Sequence, residues 1–106
     1  MTDEALLPSA PLDLREAGRR LWEKTLAEIE FQPHELELLG ETCRTLDAVR
    51  LLQNQLDADG VIDISPQGRR VHPALPELRQ QRIVLARLLA ALQIPDDEPP
   101  GAAGTT

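Results

Sequence analysis

Residues 33–60 have the clearest hydrophobic pattern in the chain. Their apolar side chains recur every three or four positions, at Leu36, Leu39, Cys43, Leu46, Val49, Leu52 and Leu56. This spacing places them on one side of an α-helix. Pro33 suits a first helical turn, and Gly60 can take the left-handed conformation that ends a helix. We therefore expect one helix of roughly 40 Å, whose apolar side another element must cover.

A second helix is predicted upstream, from about residue 13 to residue 30. Asp13 and Glu16 have the three-residue spacing of a capping box, which satisfies the first backbone N–H groups of a helix. The inner side is expected to carry Leu14, Ala17, Leu21, Thr25 and Ile29, widened by Trp22 and Leu26. Gly18 costs about 1 kcal/mol relative to Ala inside a helix, so we interpret it as a close helix crossing.

The stretch after Gly60 changes character twice. Residues 61–64 are apolar and β-branched, and residues 65–68 are typical of a turn, so a small β-hairpin or extended turn is predicted near residues 61–71. A last helix is expected from His72-Pro73 to about residue 92. Its apolar face is Leu78, Val84 or Leu85, Leu88, Leu89 and Leu92.

Together these elements predict an all-α fold. The second and last helices would form a long antiparallel hairpin, with the first helix crossing one end. Residues 1–11 are expected to be a flexible arm, residues 12–95 the helical domain, and residues 96–106, rich in Pro and Gly, a disordered tail. Leu38, Leu51 and Ile83 lie off the main stripes. We interpret them as a second face that self-association buries, the alternative being scattered exposed apolar residues, which are normal.

Composition limits the class of protein. The chain has 106 residues, enough for one small domain, and its 42% apolar and 2% aromatic content predicts an aliphatic core. A single Cys excludes an internal disulfide and favours a reducing compartment. No signal peptide or membrane span is expected.

The charges are unevenly distributed along the chain. The net charge is −7, yet residues 33–60 carry six acids and two Arg, whereas residues 65–90 carry five Arg and one Glu. The acidic and the basic segment could pack against each other, or the basic segment could form a surface that binds a polyanion.

Candidate catalytic residues do not form a recognisable set. Ser9 and Ser65 lack a nearby His, and His34 and His72 are interpreted as capping or surface residues. Cys43 lies on the inner stripe, as a small buried residue would. The acids of residues 35–59 are interpreted as the solvated outer face of the long helix. We therefore expect no enzyme activity, no cofactor and no metal.

The basic residues are the remaining candidates for a binding site. The first helix carries Arg15, Arg19, Arg20 and Lys24, which could reach phosphates or could pair with Glu16, Glu23 and Glu28 along the helix. Arg69 and Arg70 follow the predicted turn and are expected at a hairpin tip. Arg79, Arg82 and Arg87 could instead face the acids of the long helix, in the same chain or in a neighbouring copy.

The order of these local patterns resembles the small subunit of a tailed-bacteriophage terminase, in the short form found in phages and prophages of high-GC bacteria. The resemblance spans about residues 12–95. It is carried by the following segments: Gly18-Arg19-Arg20-Leu21-Trp22, Cys43-Arg44-Thr45-Leu46-Asp47, Val71-His72-Pro73, Glu77-Leu78-Arg79-Gln80-Gln81-Arg82, and Leu85-Ala86-Arg87-Leu88-Leu89 with Leu92 and Pro95.

This resemblance implies a ring-forming homo-oligomer that engages double-stranded phage DNA for packaging initiation in the bacterial host cytoplasm. Such a subunit hands DNA to the large terminase subunit and regulates its ATPase and nuclease. Residues 12–95 would be the oligomerisation and DNA-packaging domain. DNA contacts are expected at Arg15, Arg19, Arg20, Lys24, Arg69 and Arg70. The expected interface between copies comprises Leu38, Leu51 and Ile83, with Arg79, Arg82 and Arg87.

Two other classes of protein stay open on the sequence. One is a helical adaptor that binds proteins and no nucleic acid. The other is a small dimeric DNA-binding regulator, whose dimer mass would be about 23 kDa, twice the 11.7 kDa of one chain. A ring would be several times heavier.

Overall fold

The structure, a computed structural model, describes residues 7–65 and 67–95. It is mostly helical, as predicted, with α1 (Glu16–Glu28), α2 (Pro33–Asp59) and α3 (Ala74–Ala91). Between α2 and α3, β1 (Ile62–Ser65) and β2 (Gly68–Val71) pair as two antiparallel strands. The predicted tail and residues 1–6 of the predicted arm lie outside the described residues.

Both ends of α2 follow from local sequence signals. Gln32 and Glu35 form a reciprocal capping box, in which the Gln32 backbone N–H donates to Glu35 Oε1 at 2.7 Å. Pro33 occupies the first turn, where its missing N–H leaves no bond unmade. At the other end Gly60 has φ 85° and its N–H donates to the Leu56 carbonyl at 2.7 Å. The helix therefore stops where the sequence predicts.

The start of α1 differs from the prediction. Arg15 is the N-cap residue and makes no side-chain capping bond, so the predicted capping box of Asp13 and Glu16 is wrong. Asp13 instead accepts hydrogen bonds from Arg44, at 2.6 Å from Nε and 3.3 Å from Nη2. These charge-assisted bonds lower the pKa of Asp13. Arg44 on α2 thus holds the segment before α1.

Two clusters of buried apolar side chains hold the helices together. The first core cluster joins α1, the first half of α2 and the residue that follows α3: Leu14, Trp22, Leu26, Leu39, Cys43 and Leu92. The second core cluster joins the second half of α2 to the start of α3: Val49, Leu56, Ala74 and Leu78. Helix α2 is therefore the element on which both α1 and α3 pack.

Part of the predicted arm contacts this core. The Trp22 indole Nε1–H donates to the Pro8 carbonyl at 3.1 Å, which satisfies the one polar atom of a buried side chain. Ala10 is half-buried against the first core cluster. Residues 8–10 are consequently held against α1 and α2.

The start of α3 lies beside the end of α2, and later residues of α3 contact earlier residues of α2. Asp59 at the end of α2 lies 3.0 Å from His72, just before α3, whereas Gln53, earlier in α2, accepts a 2.7 Å hydrogen bond from Arg82. Only two of the 18 residues of α3 are buried, Ala74 and Leu78. The rest of its apolar face is half-buried or exposed, so α2 covers α3 incompletely.

Candidate nucleic-acid interface and apolar groove

Asp47 fixes the position of α1 on α2. Its Oδ2 accepts the Arg15 backbone N–H at 2.7 Å, and its Oδ1 accepts the Gly18 backbone N–H at 2.7 Å. These are two of the N–H groups that a helix cannot satisfy internally, and a carboxylate also suits the positive end of the helix dipole. Asp47 is buried, which corrects its assignment to the solvated outer face of α2. Its contacts decide which side chains of α1 point outward.

An open groove of about 470 Å³ lies between α1 and α3, with α2 beneath it. We call it the α1–α3 groove. Its apolar lining is drawn from all three helices and the residues after α3, and includes Leu21, Leu46, Leu85, Leu89 and Ile94. All five are half-buried. Leu21, predicted on the inner stripe of α1, packs against the first core cluster and also lines the groove, whereas Trp22 and Leu26 are buried.

Three cations border this groove. Arg20 and Lys24 come from α1 and Arg50 comes from α2, and Glu28 is the acidic residue in the same lining. We refer to Arg20, Lys24 and Arg50 as the cationic rim. All three side chains are exposed, so a soluble anion can reach them.

A second cavity, of about 240 Å³, adds Arg15 to the same surface. Its lining includes Arg15, Arg20, Arg50 and Leu51. The structure therefore brings together three of the predicted DNA-binding residues, Arg15, Arg20 and Lys24, around Arg50. Arg19 lines neither cavity, and its Nη2 donates to the Leu14 carbonyl at 3.1 Å.

The bonds of these cations decide how available they are. Arg20 pairs with Glu16 at 2.8 Å, four residues earlier on α1, and both side chains are largely exposed. Such surface pairs contribute little and exchange readily with another anion. Among the described residues, no hydrogen bond or ion pair engages the Arg50 side chain. Arg50 is thus available to an external anion.

Arg69 and Arg70 form a separate basic pair. They lie within β2, opposite Ile64 and Asp63 respectively, and both are exposed. Because successive side chains on a strand point to opposite faces, these two arginines diverge and do not share one tip. Neither lines the two cavities described above. Any contact they make with DNA is independent of the cationic rim.

The predicted interface residues fall into different environments. Leu38 is half-buried against the first core cluster of its own chain. Leu51 and Ile83 are 53% and 46% exposed. Arg79 and Arg87 lie one helical turn before and after Ile83 and are exposed, whereas Arg82 bonds Gln53. Among the described residues, none of these three arginines pairs with an acid of α2.

His72 and Cys43, two other candidate reactive side chains, are both buried in the fold. His72 Nδ1 accepts the Ala74 backbone N–H at 3.0 Å, and His72 Nε2 lies 3.0 Å from Asp59 Oδ2. Burial raises the pKa of the Cys43 thiol to about 12. In the part of the chain that the structure describes, no three His, Cys, Asp or Glu residues are placed to hold a metal ion.

Sequence reasoning missed Arg50 as a site residue. It is one of two arginines in an otherwise acidic helix, so the charge pattern gives it no emphasis. The available signal was its distance of four residues from Leu46, a member of the apolar stripe. That spacing places Arg50 one turn further along the same side of α2, at the edge of the groove.

Neither relatives nor a membrane segment indicate the function. Comparisons of the chain with protein-family models, with curated proteins and with solved structures found no match. No helix among the described residues is long and apolar enough to cross a bilayer. The groove, its cationic rim and the exposed apolar side chains are therefore the features on which a function can be proposed.

Proposed function

We propose that the chain is the non-catalytic small subunit of a phage terminase, which assembles into a ring, engages DNA and regulates the large subunit in the bacterial host cytoplasm. The observation that carries this proposal is the cluster of Arg15, Arg20, Lys24 and Arg50 beside apolar helix faces left uncovered by the chain's own core. Two segments of the terminase resemblance also meet in the fold, because Gly18 contacts Asp47 and Cys43.

Self-association would cover the apolar side chains of α3 that α2 leaves partly exposed. Val84 and Leu88 are half-buried and line neither cavity, and Ile83 is nearly half exposed. Covering such side chains gains roughly 25 cal/mol for each Å² of apolar surface removed from water. A second copy packed along α3 and the exposed Leu51 would cover them. The α2–α3 pair, as a helical hairpin, would then be the repeating unit of the ring.

DNA binding depends on repetition of the cationic cluster. One chain offers four grouped cations, and non-specific affinity grows with the number of phosphates neutralised. Each subunit carries a net charge of −7, but a ring repeats the cluster in every subunit and so presents many grouped cations to one DNA duplex. The cations would contact phosphates and thus position the DNA, while sequence preference would come from DNA shape. Arg69 and Arg70 would add separate phosphate contacts.

Native mass spectrometry and light scattering test the assembly. We expect a particle several times heavier than one chain of 11.7 kDa. Ile83→Asp should shift the population toward smaller species, because it places a charge in the proposed interface. His34→Asp adds a carboxylate at an exposed position in the first turn of α2, away from Leu51 and α3, and should leave the assembly intact. A wild-type protein that stays monomeric at micromolar concentration would refute the ring.

Duplex binding as a function of salt tests the DNA contacts. The Arg20→Gln/Arg50→Gln variant should bind more weakly and have a shallower dependence of log affinity on log salt, by roughly 0.9 for each phosphate that the variant no longer neutralises. Arg69→Gln/Arg70→Gln removes the same charge from β2 and reports on the second basic pair. If the wild type binds no duplex at low salt, the packaging role is excluded.

One observation favours the helical adaptor as a second candidate. Ile62 and Val71 are cross-strand partners on one face of the two strands, and Ile64 is 75% exposed nearby. An exposed apolar strand pair is suited to binding another protein. A stable dimer that binds proteins through this face and shows no salt-dependent DNA affinity would favour the adaptor over the terminase subunit.

A further inference from the structure

The chain leaves α3 through a turn that directs it into the α1–α3 groove. Gln93 takes the left-handed conformation, with φ 60°. The Gln93 N–H donates to the Ala90 carbonyl at 3.0 Å and the Ile94 N–H to the Leu89 carbonyl at 2.9 Å. This is the Schellman arrangement, in which the residue after the turn packs back on the last helical turn. Ile94 and Pro95 consequently line the groove themselves.

The sequence that follows Pro95 is complementary to the groove in charge. Residues 96–98 are Asp96-Asp97-Glu98, three consecutive acids, and Pro99 and Pro100 come next. The rim has three cations, Glu28 is the acid in the groove lining, and Arg20 also pairs with the exposed Glu16; most of the lining between the cations is apolar. Acids for the rim and proline rings for the apolar lining thus occur in one short segment.

Chain length keeps these acids close to the rim. Three residues extend at most roughly 10 Å from Pro95, whatever their conformation. A short tether of this kind gives the attached group an effective concentration on the order of millimolar at its site. A weak charge interaction is then enough to populate the bound form. A second copy or a separate acidic peptide would have to outcompete a segment that is already present.

We propose that the acidic segment Asp96-Asp97-Glu98 docks on Arg20, Lys24 and Arg50 of its own chain and competes with external polyanions for these side chains. The competition with DNA depends on the proposed function, whereas the docking itself does not. The segment would weaken DNA binding by an isolated subunit at low salt. Many phosphates presented at once would displace it.

A spin label in the tail tests the docking directly. Ala102→Cys provides the attachment point, because Cys43 is buried and its thiol stays protonated. We expect broadening of the amide signals of residues 20–24 and of Arg50. The broadening should weaken at high salt and in the variant Asp96→Asn/Asp97→Asn/Glu98→Gln. It should persist in the control Glu23→Gln/Glu30→Gln/Glu37→Gln, which removes three exposed acids that line neither cavity.

Three outcomes of the labelling experiment would overturn the proposal. Broadening that is equal in both triple variants would show that the acids do not direct the tail. Absence of broadening at low salt would show that the segment does not dock. Broadening seen only when labelled copies are mixed with isotope-enriched copies would assign the groove to a neighbouring subunit's tail.

Duplex affinity tests the competition. At low salt the tail variant should bind duplex DNA about threefold to tenfold more tightly than the matched control variant. If the label reports docking but no variant binds DNA, the proposed function fails and the docking stands. If the wild type binds DNA while the two triple variants bind equally and the label reports no contact, the docking proposal fails and the proposed function stands.

Discussion

Asp47 on α2 caps the N-terminus of α1 through the backbone N–H of Gly18, at 2.7 Å. The glycine makes this contact possible. A Cβ atom at position 18 would lie 2.7 Å from the Cys43 carbonyl oxygen and would also overlap the Asp47 carboxylate. The two helices therefore cross at a point where only a residue without a side chain fits. This geometry confirms the prediction that Gly18 marks a close crossing of two helices.

Gly18→Ala should destabilise the protein by about 1–3 kcal/mol, the usual cost of overpacking a tight site. The cost exceeds the helix propensity that Ala gains, because Cys43 contributes backbone to the collision and backbone cannot rotate away. Urea unfolding followed by circular dichroism measures the difference. Unchanged stability would mean that α1 can shift on α2 at no cost.

Gly40→Ala is the matched control on α2. A Cβ atom there would lie 3.6 Å from Arg44 Nη1 and 3.7 Å from Pro11 Cγ, which is ordinary van der Waals contact. The substitution should therefore stabilise the protein by up to about 1 kcal/mol through helix propensity. If Gly18→Ala lowers the free energy of unfolding and Gly40→Ala raises it, the loss at position 18 is due to steric overlap and not to helix propensity.

Asp47→Ala should cost about 2–4 kcal/mol, since it leaves the buried N–H of Gly18 and the partly buried N–H of Arg15 without their acceptor. Asp57→Ala removes an exposed acid of the same helix that bonds the side chain of Gln53, so its effect should be within about 0.5 kcal/mol. Thermal or urea unfolding measures both. Equal losses of unfolding free energy in the two variants would mean that Asp47 stabilises the protein only through its negative charge and not through its bonds to α1.

The part of the fold set by local signals could be predicted from the sequence. The bounds of α2 depend on Pro33, on Gly60 and on apolar residues spaced within one helix, and all of these are neighbours along the chain. The predicted capping box of α1 is wrong because Asp13 bonds Arg44, 31 residues away. A local pattern cannot reveal that a distant partner competes for one of its members.

The candidate site depends on how the helices are rotated about their axes. Periodicity groups Leu21 with Trp22 and Leu26 as one broad face, but it cannot divide that face between core and groove. The contact between Gly18 and Asp47 makes the division, and its partners are 29 residues apart. Arg50 joins Arg20 for the same reason. Charges could be counted from the sequence, but their grouping required the crossing of α1 and α2.

His72 should cap α3 with its side chain. Because Nδ1 accepts the Ala74 N–H, the neutral ring carries its proton on Nε2, which donates to Asp59. Long-range ¹H–¹⁵N spectra should show this tautomer. His72→Ala should cost about 1–2 kcal/mol, whereas His72→Asn, whose oxygen can accept the capping bond, should recover part of it. Equal stability of Ala and Asn would assign the effect to the contact with Asp59.

Cys43 should make stability depend on pH in the alkaline range. Burial raises the pKa of its thiol to about 12 in the folded state, above the ordinary thiol value of 9.0. The thiol is protonated in both states below pH 9, so its contribution is complete there. As pH rises from 9 toward 12, the unfolded chain ionises first and the contribution is lost.

The difference in unfolding free energy between wild type and Cys43→Ala isolates this effect from other groups that titrate at high pH. At pH 7 the wild type should be the more stable of the two proteins, because Ala leaves a cavity at a fully buried site. Between pH 9 and pH 10 the difference should narrow by about 1 kcal/mol, since a full unit of pH is worth about 1.36 kcal/mol once the unfolded thiol is ionised. A difference that stays constant to pH 10 would show that the thiol ionises as easily in the folded protein as in the unfolded chain.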